Sequence, residues 1–287
     1  MGSVVSVVGQ SIARGVAQAV PVILINLDRS TDRLAHMERE FARVGLAFER
    51  FAAVNGTELP ESVRPYFCDA SGRIISPLRG GEIGCYASHL AVWQRIAAGD
   101  YGPAVLVCED DISLPDDLEG LLGRLLAATP QGWDVVRLSS RTHRAVAMVE
   151  PVDARHNLVR FSRQPTMTGA QLVSRGGAAK LLKPGIRHRP IDQDLMRPWL
   201  LDLEVYGVSP APITQNMAGS LIQGMAGRRH DTLPRTLRRL SRSFSADKLR
   251  RLAYNLRKMG LHQWLGCFAV NVRLRLGLAP RRADSRH

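Results

Sequence analysis

The chain has 287 residues, 45% hydrophobic and 23% charged, which suits one large α/β domain with an appendage and argues against a wholly disordered chain. Its net charge of +13 comes from 39 Lys+Arg against 26 Asp+Glu, yet residues 228–287 alone hold 16 basic and 3 acidic residues. The other 227 residues are therefore electrically neutral, which argues against a nucleic-acid binder over the whole length.

In chain order, Val22-Ile23-Leu24-Ile25 is a continuous apolar run behind Pro21 and reads as a buried strand of a parallel sheet. Ser30 is placed to cap the next helix, in which Leu34, Met37, Phe41 and Val44 recur at helical spacing until Gly45 stops it. Residues 48–54 are a second strand candidate and Asn55-Gly56 a turn, which completes a β-α-β unit of a doubly wound sheet. Residues 57–80 are irregular. A helix is expected over 81–98, a central strand over 104–108, a helix over 118–126 and a strand over 133–138. Leu172-Val173 ends another strand, and 177–182 is a short helix. Gly and Pro then punctuate the chain densely to about residue 227. Beyond it, arginines alternate with Leu237, Leu240 and Phe244. A second basic amphipathic helix carries Leu249, Leu252, Leu256 and Met259, with Ser245 as its cap and Gly260 as its stop.

The four cysteines form no C-x-x-C pair, so neither a disulfide framework nor a structural zinc site is expected, and a reducing cytoplasm fits. No run of about 18 uncharged apolar residues occurs, and the first residues lack a basic leader region. Met1 to Ser6 satisfies a myristoylation pattern of the kind that arises by chance.

The sharpest chemical feature is Glu109-Asp110-Asp111 at the end of the central strand. Three adjacent carboxylates repel one another, and a hard dication such as Mn²⁺ or Mg²⁺ neutralises them. Strand carboxyl ends are also where open α/β sheets bind ligands. A solvated acidic turn is the alternative. Asn26-Leu27-Asp28-Arg29 leaves another strand end, and Arg33 lies one turn into the helix that follows, so Arg29 and Arg33 at a helix start make an anion pocket. A capped surface helix is the alternative there. No Walker or dehydrogenase glycine motif is present.

Three blocks, VILINLDRSTDR (22–33), GEIGCYASHLAVW (81–93) and VLVCEDD (105–111), resemble glycosyltransferase family 25 in order and spacing, and TGAQLVS (168–174) and PIDQ (190–193) resemble its later blocks. Cys108 stands where an apolar residue is usual, and 215–222 fits loosely. The resemblance spans roughly residues 20–222. It implies a GT-A-like, Rossmann-type nucleotide-sugar-binding domain over 20–227, with an N-terminal extension (1–19) and a basic helical tail (228–287). It also implies a UDP-sugar donor, usually UDP-galactose, inversion at the anomeric carbon, and a saccharide or glycolipid acceptor such as a lipopolysaccharide core. On this likeness Asp111 ligates the metal, Glu109 and Asp110 contact metal or nucleotide, and Asn26, Asp28, Arg29 and Arg33 hold the nucleotide. Asp192 is the first candidate for the general base. Glu82 and His89 follow it; Glu82 alternatively caps a helix beginning near Ser88, and His89 alternatively is a satisfied structural histidine. The tail suits the inner face of an anionic membrane; a nucleic-acid partner or a solvated arm is the alternative. A metal-dependent hydrolase and a non-catalytic binding module compete with the transferase reading.

Overall fold

A computed structural model describes residues 20–140, 142, 144–215 and 246–278. The expected Ser245 cap and the stripe through Leu237, Leu240 and Phe244 lie outside the described residues.

Among the described residues ten strands and six α-helices occur in the order β1 (Val22–Asn26), α1 (Thr31–Arg43), β2 (Glu49–Ala52), α2 (Gly80–Ala98), β3 (Ala104–Glu109), β4 (Ile112–Ser113), α3 (Leu118–Ala128), β5 (Val135–Arg137), β6 (Val146–Pro151), β7 (Asn157–Phe161), β8 (Ala170–Ser174), α4 (Arg175–Leu181), α5 (Ile191–Leu195), β9 (Val205–Ser209), β10 (Thr214–Gln215) and α6 (Ala246–Arg275). Eight strands form one sheet in the order β2-β1-β3-β8-β5-β9-β7-β6, while β4 and β10 pair separately. The pairing of β1 with β2 and β3, and of β5 with β9, is parallel. β8 runs antiparallel to both β3 and β5, and β7 to both β9 and β6. The sheet is therefore mixed, with only β7 and β8 reversed.

The continuous apolar runs are buried on both faces, as a sheet covered by helices requires. Ile23, Ile25, Val105 and Val107 join one core, with Leu90 and Trp93 of α2 and Leu181 of α4. Their alternates Val22, Leu24, Leu106 and Cys108 join the other, with Met37 and Phe41 of α1 and Leu121 and Leu125 of α3. The result is an α/β/α sandwich. The loop after β2 packs backbone against backbone on the start of α2: a Cβ on Gly56 would sit 1.8 Å from the carbonyl oxygen of Gly80. Helix α2 begins at Gly80, so Glu82 lies in its first turn and accepts a hydrogen bond from the Arg79 N–H at 2.9 Å. Glu82 does cap a helix, but at Gly80 rather than near Ser88. Ser30 precedes α1 without a side-chain cap bond.

Strands β6, β7 and β9 were not expected from the sequence. β6 carries exposed residues, and β9 holds Gly207, where a Cβ would meet the Phe161 ring at 2.2 Å. Helix α6 turns back at Gly260, whose φ is 76°. Asn255 donates to the carbonyl of Ser162 at 2.9 Å, and Asn271 donates to its hydroxyl at 3.1 Å. Sixteen residues of straight helix would separate those two asparagines by about 24 Å. Tyr254 is buried and donates to the carbonyl of Leu203, so the tail helix docks on the domain.

Candidate active site

The carboxyl ends of β1 and β3 lie side by side, with Ile25 opposite Glu109. Asn26 leaves β1 buried, and its amide donates to Asp110 Oδ2 at 2.7 Å. Arg33, one turn into α1, donates to Asp110 Oδ1 at 2.7 Å and lies 3.7 Å from Asp111 Oδ2. Asp110 thus commits both oxygens to tying β3 to the β1–α1 turn. Arg50 of β2 donates to Asn26 Oδ1 at 3.0 Å and pairs with Asp28. Arg29 and Asp28 lie exposed at the rim, and Arg29 has no ion-pair partner among the described residues.

Because β8 is antiparallel to β3, its first residues meet the end of β3. Thr168 therefore donates to Glu109 Oε1 at 2.5 Å. The β4–β10 pairing sets Gln215 opposite Ile112. The Gln215 amide nitrogen donates to Glu109 Oε2 at 3.2 Å and to Asp111 Oδ1 at 2.9 Å. One electropositive group therefore sits between two carboxylates that converge on it. Burial pushes the Asp111 carboxyl up to about 6, the charges of Glu109 and Asp110 push the same way, and Gln215 and Arg33 only partly oppose them. Burial also pushes Glu109 upward, but the His89 ring beside it, with Thr168 and Gln215, outweighs that and holds its carboxyl below the usual range.

Asp192 stands in the first turn of α5, half-buried. Burial raises its carboxyl, the Gln193 N–H and the charge of Arg137 oppose that, and the charges of Glu109 and Glu82 push the same way. Arg137, at the end of β5, is 2% exposed, and burial draws its guanidinium down to about 10 against the opposing pull of Asp192 and Glu109. His89 is buried on α2, its Nε2 3.5 Å from Glu109 Oε1 and its ring 5.7 Å from that of Trp93. Neither ring nitrogen has a hydrogen-bond partner among the described residues. The structure gathers Glu109, Asp110, Asp111, Asn26, Arg33 and His89 at one corner, with Asp192 near enough for its carboxyl to respond to the Glu109 charge, while Glu82 caps α2 and Arg29 and Asp28 stay peripheral.

Sequence reasoning missed Arg50, Arg137, Thr168 and Gln215 as site residues. Arg137 left a signal, a lone charge inside an apolar strand. Thr168 opens the family-like block 168–174 and Gln215 the loosely fitting block 215–222, but neither block says what its first residue touches; Arg50 left no signal, because only strand pairing brings it in.

The sequence profile of glycosyltransferase family 25 (LPS biosynthesis protein) matches residues 19–184, more than half of the chain, a range that holds Asn26, Arg33, His89 and Glu109 to Asp111 but not Asp192 or Gln215. The chain belongs to glycosyltransferase family 25. Among its relatives, a glycosyltransferase 25 family member of Anopheles gambiae is 30% identical over 186 residues, covering 61% of this chain and 31% of that protein. Procollagen galactosyltransferase 1-A of Xenopus laevis is 30% identical over 188 residues, covering 61% and 30%. Inactive glycosyltransferase 25 family member 3 of Mus musculus is 27% identical over 190 residues, covering 63% and 32%. The chain spans about a third of the length of these relatives.

Proposed function

We propose that this chain is an inverting glycosyltransferase that uses Mn²⁺ or Mg²⁺ and moves galactose from UDP-galactose to a saccharide acceptor, such as the core of a lipopolysaccharide. The observation that carries the reading is the convergence of Glu109 Oε2 and Asp111 Oδ1 on one amide nitrogen at the carboxyl ends of β1 and β3. The donor set is all oxygen, and Asp111 carries a charge its surroundings do not balance, so both the chemistry and the electrostatics fit a hard dication. Asp111 and Glu109 would hold it; Asp110, already bonded to Asn26 and Arg33, orients the loop that presents them.

When bound, the dication offsets the charge that grows on the departing diphosphate. Arg33 reaches this corner from the start of α1 and binds the same anion, with Arg29 at the rim. Asp192 accepts the proton of the acceptor hydroxyl; the burial that raises its carboxyl makes it a better base than an exposed aspartate. Single displacement then inverts the anomeric centre.

We include in this proposal a membrane-facing role on the cytoplasmic side, and the residues of helix α6 support the membrane-facing part of it. The helix exposes Leu261, Leu265 and Phe268 beside Arg273 and Arg275, and Leu276 and Leu278 are exposed just beyond its end. Basic and apolar residues together suit an anionic lipid surface. Among the described residues no helix is long and apolar enough to cross a membrane. Since the family also has a mouse member named inactive, turnover is the deciding assay. A panel of nucleotide sugars with Mn²⁺ is scored by released UDP. Metal-dependent UDP release supports the proposal, and none from any donor, with or without acceptor saccharide, contradicts it.

A further inference from the structure

Helix α2 sets Cys85 and His89 four residues apart and hence on one face. That face looks onto the end of β3. The Cys85 sulfur, a ring nitrogen of His89 and a Glu109 carboxylate oxygen all lie within 4.8 Å of one another. His89 is 1% exposed, and both its nitrogens lack hydrogen-bond partners among the described residues. Nε2 lies 3.5 Å from Glu109 Oε1, near enough for electrostatic attraction but without a hydrogen bond, so a cation between the two would satisfy both. Glu109 has two distinct sides. Its Oε2 faces Gln215, which also bonds Asp111, whereas its Oε1 faces Thr168 and His89. The Asp111 side offers only oxygen; the α2 side offers sulfur and nitrogen as well.

We propose that Cys85 Sγ, His89 Nε2 and Glu109 Oε1 form a site for a thiophilic divalent transition-metal ion of the zinc class, on the opposite side of the Glu109 carboxylate from the all-oxygen corner. Zinc binds sulfur at about 2.3 Å and imidazole nitrogen at about 2.0 Å, which puts tetrahedral donors about 3.3–3.6 Å apart. The three donors reach that spacing by closing roughly 1 Å. Three protein ligands leave a fourth position open to water or another ligand. Cys85 is partly exposed as a residue, while burial, with the charges of Glu109, Asp192 and Asp111, holds its thiol protonated until a metal takes the sulfur. On binding, the thiol proton passes to solvent and the thiolate sulfur bonds the metal, with no change of oxidation state. Manganese and magnesium prefer oxygen and have little use for this donor set.

The test uses the full metal-free chain and Co²⁺ as a spectroscopic probe. It involves no nucleotide sugar, so it stands or falls apart from the transferase reading. The expected result is a thiolate-to-cobalt charge-transfer band at one equivalent of Co²⁺, lost in Cys85→Ser and retained in Asp111→Asn. Zinc affinity, read by competition with a chromophoric chelator, is expected to fall at least about 100-fold in Cys85→Ser, since even an outer partner costs about 10–100-fold. His89→Gln is a second variant, expected to weaken zinc binding without removing the thiol. No thiolate band in the wild-type chain at saturating Co²⁺, or a band of equal strength in Cys85→Ser, would overturn the assignment.

Discussion

Replacing Asp111 by Asn is expected to make the metal-free protein more stable at neutral pH. The Asp111 carboxyl rises from an ordinary 3.8 to about 6, through burial first and then through the charge of Glu109. A carboxyl with a raised folded-state pKa keeps its proton in the fold after the unfolded chain has released it. Its contribution is therefore fully present below pH 3.8 and is lost as pH rises through 6. Two units correspond to about 3 kcal/mol at pH 7.5. Local relaxation lowers that, so a gain of about 1–3 kcal/mol is expected from Asp111→Asn, or roughly 2–12 °C in Tm at about 2–4 °C per kcal/mol. The amide keeps an acceptor for Gln215 and sheds only the charge. The assay is thermal unfolding in EDTA at pH 7.5 and at pH 4. The gain should be present at the first and nearly absent at the second, where the native carboxyl is already protonated. Added Mn²⁺ should raise the Tm of the wild-type chain and leave the variant unmoved. A metal-free variant less stable than wild type at pH 7.5 would refute the electrostatic account of this corner.

Three further outcomes are expected. Gly56→Ala drives a methyl into the Gly80 carbonyl at the start of α2 and should cost about 3 kcal/mol in a urea titration; a cost below 1 kcal/mol would contradict the backbone packing. Lys180→Met strips Asp134, 2% exposed, of the cation 2.6 Å away. Because Lys180 is partly exposed, the loss should be about 1–3 kcal/mol, less than for a fully buried pair, and adding Asp134→Asn should restore part of it. A loss that the double variant does not reduce would show that the pair is not the cause. Arg273→Gln with Arg275→Gln should weaken binding to anionic vesicles roughly 30-fold, from about 1 kcal/mol per basic residue. Substitution is a cleaner test than truncation because α6 is docked through Tyr254 and Asn255. Equal binding by the variant would argue against the membrane-facing role.

The strands most legible in the sequence are those buried on both faces. Val22–Asn26 and Ala104–Glu109 are unbroken apolar runs up to their last residue because helices cover both sides of the sheet there. β6 and β9 hide behind exposed side chains and a glycine that the Phe161 ring requires. The acidic triplet is visible as a charge anomaly, but its division of labour is not. Asp110 is spent on Asn26 and Arg33 while Asp111 turns toward Gln215, and both outcomes depend on neighbours 77 to 104 residues away. Thr168 reaches Glu109 only because β8 enters the sheet antiparallel, a pairing no local pattern announces. The tail reads as a basic helix stopped at Gly260; its return onto Ser162 does not.

The most direct measurement is calorimetric titration of UDP-galactose into the full chain, with Mn²⁺ and again with EDTA, on wild type and Asp111→Ala. Saturable binding by wild type with Mn²⁺, abolished by EDTA and by the substitution, is the predicted result. Binding of equal strength without metal, or undiminished in Asp111→Ala, would contradict the placement of a metal-held nucleotide sugar on these acids.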